Sequence, residues 1–386
     1  MNSRERVKLA INHQEPDRIP LDIGATNVSG IHETAYRKLR DYFRLHNSQD
    51  IQIANIVEQM AWLDKDMAEK LEVDVRGAFP NSPSSYELVM QEDEKYYFYY
   101  DEWHIGRRMP KDGGFYFDIF DHPMKDATSI KDIENYKWLD PTDESRFIGL
   151  RDRILTITQK EQKACALTGL TAGALEVASW LRGFENFYID MASNQKFFTH
   201  LIEKIASLKM AFWEKVLSEV GDQVDVVIEA DDLGSQDRML MSPRFYRQVI
   251  KPVHQNLYDR IHELTPAKLF FHSCGSIQPV ISDLIDIGVD ILNPVQVSAA
   301  GMDSAELKKE FGQYLTFWGG GIDTQYVLGK GSPQEIEDEV KRRIHDLAPN
   351  GGFVFAAVHC IQENVPPENI EIMWNTFRQY RDYYPT

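Results

Sequence analysis

Three cysteines in 386 residues are too few for a disulfide framework, and their odd number fits a reducing cytoplasm. Positive charge is also scarce. Forty-two Lys and Arg stand against 60 Asp and Glu, a formal net charge of −18. So acidic a surface argues against nucleic acid or an anionic membrane as a partner. An anionic small molecule stays open, because a pocket carries its own local field. No apolar run reaches the length of a membrane span, and the start, "MNSRERVKLAINHQEPDRIP", is charged rather than signal-like. The chain also lacks a Gly-x-Ser-x-Gly elbow, a phosphate-binding P-loop, an HExxH motif and any CxxC pair. Internal repeats, low-complexity tracts and linkers are absent too, so residues 1–386 read as a single domain.

What is present is an alternation of short apolar runs with longer amphipathic ones, the pattern of βα units around a parallel sheet. The candidate strands are "RIPLDIG", "VDVRG", "ACALTGL", "VDVVIEA", "KLFFHS", "VDILNP", "LTFWGG" and "GFVFAAVH". Eight of them predict an α/β fold closed as a (β/α)8 TIM barrel. Two helix starts are marked. Ser242 precedes Pro243 as an N-cap, with Pro252 expected to bend or split the helix that follows. Ser332 and Glu335 have the spacing of a capping box. Residues 86–123 break the alternation and predict an antiparallel β insertion with a turn at Gly113-Gly114. Its aromatic side chains, Trp103 among them, suit a packing face, or else a lid over substrate.

Strand C-termini form the active face of such a barrel. His272 and Cys274 follow the fifth strand, and Cys360 follows the eighth, so barrel closure brings them around one mouth. An imidazole and two thiolates suit zinc and leave a fourth position open for chemistry. Ordinary buried cysteines are the competing account, and Cys165, inside its strand, fits that account. The fourth strand ends in "VIEADDLGSQ", which offers Glu229 and Asp231 as catalytic acids at the mouth, Glu229 first, and Asp232 and Gln236 as substrate contacts. Asn293 and Gln296 after the sixth strand, and Asp323 after the seventh, are expected to shape the pocket. His359 adjoins Cys360, so an extended backbone would point it to the opposite face. That makes it a substrate or supporting residue rather than a ligand.

Six stretches then carry a resemblance that covers nearly the whole chain: "RERVKLAINHQEPDRIP", "DEWHIGRR", "HSCGS", "GVDILNPVQ", "FWGGGIDTQ" and "NVPPENI". They resemble the uroporphyrinogen decarboxylase superfamily. One branch of it decarboxylates a tetrapyrrole without metal. The other, the methylcobamide:coenzyme M type of methyltransferase, exchanges methyl groups with a corrinoid protein at a zinc held by His-x-Cys and a distant Cys. His272, Cys274 and Cys360 match that second pattern. The resemblance thus implies Zn2+ and a corrinoid (cobalamin) carried by a partner protein. It implies a small-molecule methyl donor or acceptor: a methyl ether such as a methoxylated aromatic, undergoing O-demethylation, or a thiol. The alternatives are a metal-independent decarboxylase and a non-catalytic corrinoid-associated binding protein. Against decarboxylation, "RIPLDIGATNVSGIHETAYR" has no arginine between Arg18 and Arg37 to hold carboxylates.

Overall fold

A computed structural model of the chain describes residues 1–45 and 50–383. Seven of the expected strands pair there in one parallel sheet. Their spatial order is Phe353–Val354, Thr316–Trp318, Ile291–Asn293, Lys268–His272, Val226–Ala230, Ala164–Thr168 and Val75–Ala78. The eighth, "RIPLDIG", is only a parallel bridge between Leu21 and Phe355. Pro20 has no N–H to extend the ladder. The bridge still closes the barrel. On one side the Asp22 N–H donates to Phe355 O and the Phe355 N–H to Pro20 O, both at 2.9 Å. On the other the Asp74 N–H donates to Leu21 O at 2.8 Å. The expected (β/α)8 barrel is the observed fold.

Strand alternation sorts the side chains into two sets. Val75, Ala164, Ala166, Val226, Phe270, Ile291, Trp318 and Val354 form one cluster, the barrel interior. Their neighbours Cys165, Leu167, Val227, Leu269, Phe271, Leu292, Phe317 and Phe353 join the larger core against the helices. Cys165 is fully buried there, as its place within a strand implies.

Ser242 caps its helix by accepting the Phe245 N–H, with Pro243 in the first turn. A π-helical turn at Tyr246–Ile250 then separates that start from Lys251–Leu264, where Pro252 sits in the opening turn. The expected split is therefore present. Ser332 and Glu335 form the reciprocal capping box.

The insertion is a four-stranded antiparallel sheet of Gln91–Glu92, Tyr96–Tyr100, Gly106–Pro110 and Asp118–Asp121. Gly113, at φ 70°, turns the chain between the last two strands. Most of its aromatics pack together, as Phe98 on Phe120 and Tyr99 on Phe117. Trp103 is 3% exposed and packs edge-on against Trp138, so it faces core rather than substrate. Among the described residues, no helix is long and apolar enough to cross a membrane.

Candidate active site

The two strand ends meet. His272 lies on the interior side of the fifth strand, two positions past Phe270, and is 7% exposed. Its Nδ1 is 2.6 Å from Asn293 Oδ1 on the neighbouring strand, and Asn293 Nδ2 donates to Trp318 O at 2.7 Å. With its amide nitrogen so engaged, Asn293 presents oxygen to the ring. It therefore fixes the proton on Nδ1 and leaves the Nε2 lone pair for the mouth. Cys274 Sγ lies 3.5 Å from that Nε2.

Cys274 is held by its backbone as well. Its N–H donates to Asp232 Oδ1 at 2.7 Å, and the following residue, Gly275, has φ 86° and passes directly against Gly234. A Cβ at Gly275 would lie 2.4 Å from the Gly234 carbonyl carbon, so only glycine fits this crossing of two loops.

Ligand-type atoms gather in two sets, each with all members within 4.8 Å of one another: His272, Cys274 and His359, and Glu58, His359 and Cys360. His359 belongs to both. This corrects the expectation that it points away. Past Val354 the chain leaves the strand, and residues 358–359 are bends, so alternation no longer governs which way His359 faces. Cys360 therefore meets the His272 and Cys274 pair through the shared His359, in two overlapping sets and not in the single trio expected. Its Sγ is 3.3 Å from both Glu58 Oε2 and Asn27 O.

Burial sets the protonation of these groups. Burial and the nearby Asp232 carboxylate push the Cys274 thiol well up, and burial beside Glu58 does the same to Cys360. Both thiols are neutral in the protein alone. Burial, with His272 alongside, lowers His359 to about 3, so its imidazole is neutral and free to coordinate. Burial raises Glu58 to about 7. Two thiols, two imidazoles and a carboxyl make a donor set that fits zinc, whose binding would release the thiol protons.

The acids of the fourth strand divide differently from expectation. Val226 lines the barrel interior with Ile228 packed against it, so Glu229 at the next position points outward. It is 3.2 Å from Lys209 and accepts from Trp213 Nε1 at 2.5 Å, inside the layer formed by helix Gln195–Val220. It is not a mouth acid. Asp231 is also spent. Its carboxylate accepts the Leu175 and Glu176 N–H groups and lies 2.8 Å from His254 Nε2. It caps helix Ala174–Arg182 and has no catalytic position. Asp232 is the acid at the cluster, with Oδ1 3.8 Å from His272 Nε2.

The expected substrate residues mostly brace loops. Gln296 joins Gln236 at 2.9 Å and accepts the Gly275 N–H at 2.7 Å, while Gln236 also donates to Ser298 O. Asp323 Oδ1 accepts the Tyr326 N–H and the Val327 N–H and so caps the next turn, while its Oδ2 is buried without a hydrogen-bond partner among the described residues.

Sequence reasoning missed three residues. Glu58 comes from the turn between Ile53–Asn55 and Met60–Ala61 and approaches Cys360 across 302 positions. Tyr116, from the insertion, hydrogen-bonds Gln362 and raises its phenol pKa through burial and the adjoining Glu58 and Cys360. Glu176, beside Asp232, has its carboxyl pushed well up by burial and by Asp232 and Asp231. No motif marks any of them. The one usable signal was the insertion itself, whose turn carries Tyr116.

Comparison with known proteins agrees with this architecture. Two curated relatives, both described as uroporphyrinogen decarboxylase, come from Pseudoalteromonas atlantica (strain T6c / ATCC BAA-1087) and Pseudoalteromonas translucida (strain TAC 125). They are 24% identical over 286 residues and 22% over 288, spanning in each case 70% of this chain and 75% of the relative. The fold is similar to that of a methyltransferase from Methanosarcina mazei, at a TM-score of 0.64 and 17% identity, over 98% of this chain and 99% of that one. At that identity the likeness speaks for the fold. Residues 121–380 match the family described as Uroporphyrinogen decarboxylase (URO-D). Because that match spans most of the barrel, including both strand ends that supply the imidazoles and thiols, the chain belongs to the uroporphyrinogen decarboxylase family.

Proposed function

We propose that this chain is a zinc-dependent methyltransferase, exchanging a methyl group between a corrinoid protein and a small-molecule methyl ether or thiol. The carrying observation is the gathering of His272, Cys274, His359 and Cys360 at one barrel mouth. Zinc bound there would supply Lewis acidity to the heteroatom whose bond to methyl is made or broken. The protein's own groups have separate tasks. Asn293 holds His272 in one tautomer, with Nε2 toward the mouth. Asp232 fixes the Cys274 backbone. Glu58 lies against the Cys360 thiol and is placed to accept its proton when the thiolate forms. Tyr116 and the insertion cover this side of the mouth and limit water there.

Decarboxylation of a tetrapyrrole is the second reading, supported by the descriptions of the two curated relatives. The substrate's carboxylates would need cations. Arg18, the last arginine before Arg37, is bound to Asp74 at 2.7 Å, below the mouth. The descriptions favour that reaction and the groups at the mouth favour methyl transfer.

The test is Cys360→Ala, measured for zinc content and melting temperature together. The native chain is expected to hold about one zinc, and the variant to lose most of it with only a modest loss of stability beyond the missing metal. Cys165→Ser serves as control and keeps its zinc. A Cys360→Ala protein that retains zinc but melts early would make Cys360 a core residue only and remove the main support for methyl transfer.

A further inference from the structure

Beside the His-Cys cluster lies a cavity of about 230 Å³, lined in part by Trp180, Phe184, Phe187, Tyr188, Glu176 and Asp232. It adjoins the loop that carries Cys274, although no sulfur or imidazole of the cluster lines it. Asp232 lines it and accepts the Cys274 N–H at 2.7 Å, and Gly234, also in its wall, touches the Cys274 loop. Its volume falls below the usual range for ligand pockets, which begins at about 300 Å³. That suits a single ring with short substituents.

The lining also has a charge pattern. Among the described residues it contains two carboxyls and no Lys, Arg or His. The guanidinium of Arg107 stacks 4.8 Å from the Trp180 ring but is tied to Asp101 at 2.9 Å and is 6% exposed. No cation is therefore available in the wall to pair with an anionic substrate group, and Asp232 would repel it, while burial pushes the Glu176 carboxyl up toward its neutral form.

We propose that this cavity seats the small-molecule substrate and selects an aryl-sized molecule that is neutral or cationic, rejecting carboxylates, sulfonates and phosphates. Trp180, Phe187 and Tyr188 hold the ring, and Asp232 sets the charge preference while the reacting heteroatom faces the cluster. The proposal rests on the methyl-transfer reading for what happens to the molecule, though not for which molecule enters.

The test is equilibrium binding at neutral pH by calorimetry, without corrinoid, on zinc-loaded and zinc-stripped protein. The probes are 3-methoxyphenol, 3-methoxybenzylamine and 3-methoxybenzoate. The phenol and the amine should bind at least about tenfold more tightly than the benzoate. Asp232→Asn should narrow that gap. Trp180→Ala should weaken phenol binding about tenfold. Because Trp180 also stacks on Arg107, the rim variant Phe184→Ala, at a side chain 55% exposed, gives a second reading in a protein expected to fold. Benzoate binding as tight as the phenol, or phenol affinity unmoved by both aromatic changes, would overturn the proposal. If the probes behave as expected and no methyl transfer can be found, the methyl-transfer reading fails and the pocket assignment stands.

Discussion

Asp22 is a fully buried carboxyl inside the barrel, accepting Trp318 Nε1–H at 2.8 Å and the Ala25 N–H at 3.0 Å. Burial raises it to about 6 against an ordinary 3.8, more than its hydrogen bonds hold it down. A raised acid binds its proton more tightly in the folded chain than in the unfolded one. Its contribution to stability is therefore greatest below pH 4 and declines as pH rises through 6, by about 3 kcal/mol at most. Asp22→Asn removes that decline. Denaturant titrations of both proteins at pH 4 and pH 7 should show the variant gaining on the native chain between the two. A constant difference would mean that Asp22 ionises normally. At this scale the sequence was partly legible. His272, Cys274 and Cys360 stood out because strand ends form the mouth of a barrel. Glu58 and Tyr116 did not, because their contacts arise only after 302 and 246 residues of chain have folded back.

Helix Gln195–Val220 covers the fourth strand and donates Lys209 to Glu229, with both side chains about 1% exposed. Lys209 Nζ also reaches Leu170 O at 3.1 Å and Ala172 O at 2.8 Å, so one ammonium ties helix, strand and a neighbouring loop. Lys209→Met leaves the Glu229 carboxyl buried without its cation and should cost about 3 kcal/mol or more. Glu229→Gln keeps an acceptor for Trp213 and should cost less. Thermal or chemical denaturation ranks the two. If Glu229→Gln instead abolishes turnover at unchanged stability, the outward placement of Glu229 is wrong. The elements themselves were readable, including both capped helix starts and the inserted sheet. The error over Glu229 came from not carrying strand parity forward. Val226 and Ile228 face inward, so position 229 cannot. His359 shows the opposite failure, since parity was applied where no strand exists.

Barrel closure depends on one carboxylate. Asp74 accepts the Leu21 N–H at 2.9 Å and pairs with Arg6 at 2.9 Å and Arg18 at 2.7 Å, its own side chain fully buried. Asp74→Ala leaves Arg18 without its carboxylate at the seam, while Arg6 keeps Asp17 at 2.7 Å, and should destabilise the protein by about 3 kcal/mol. The measurement is the denaturant midpoint. A shift worth less than about 1 kcal/mol would show that the seam is held by its backbone bonds alone. The whole fold was legible because eight short apolar runs in regular alternation leave few other closures. The first strand's reduction to a bridge was also signalled, by Pro20.

The contacts that unite the mouth span almost the whole chain: Cys360 meets Asn27 across 333 positions and Glu58 across 302. Biosynthesis runs from one end to the other, so His272 and Cys274 leave the ribosome well before Cys360 exists. Until the last strand docks beside the first, the growing polypeptide lacks the two donors of that strand end, His359 and Cys360. A metal met early would find one imidazole, one thiol and a carboxyl that the fold has not yet brought together, a weak set that would release it readily. If zinc binds as proposed, assembly order would keep metal from locking the nascent chain into an unfinished barrel, and tight capture would be a late event in its maturation.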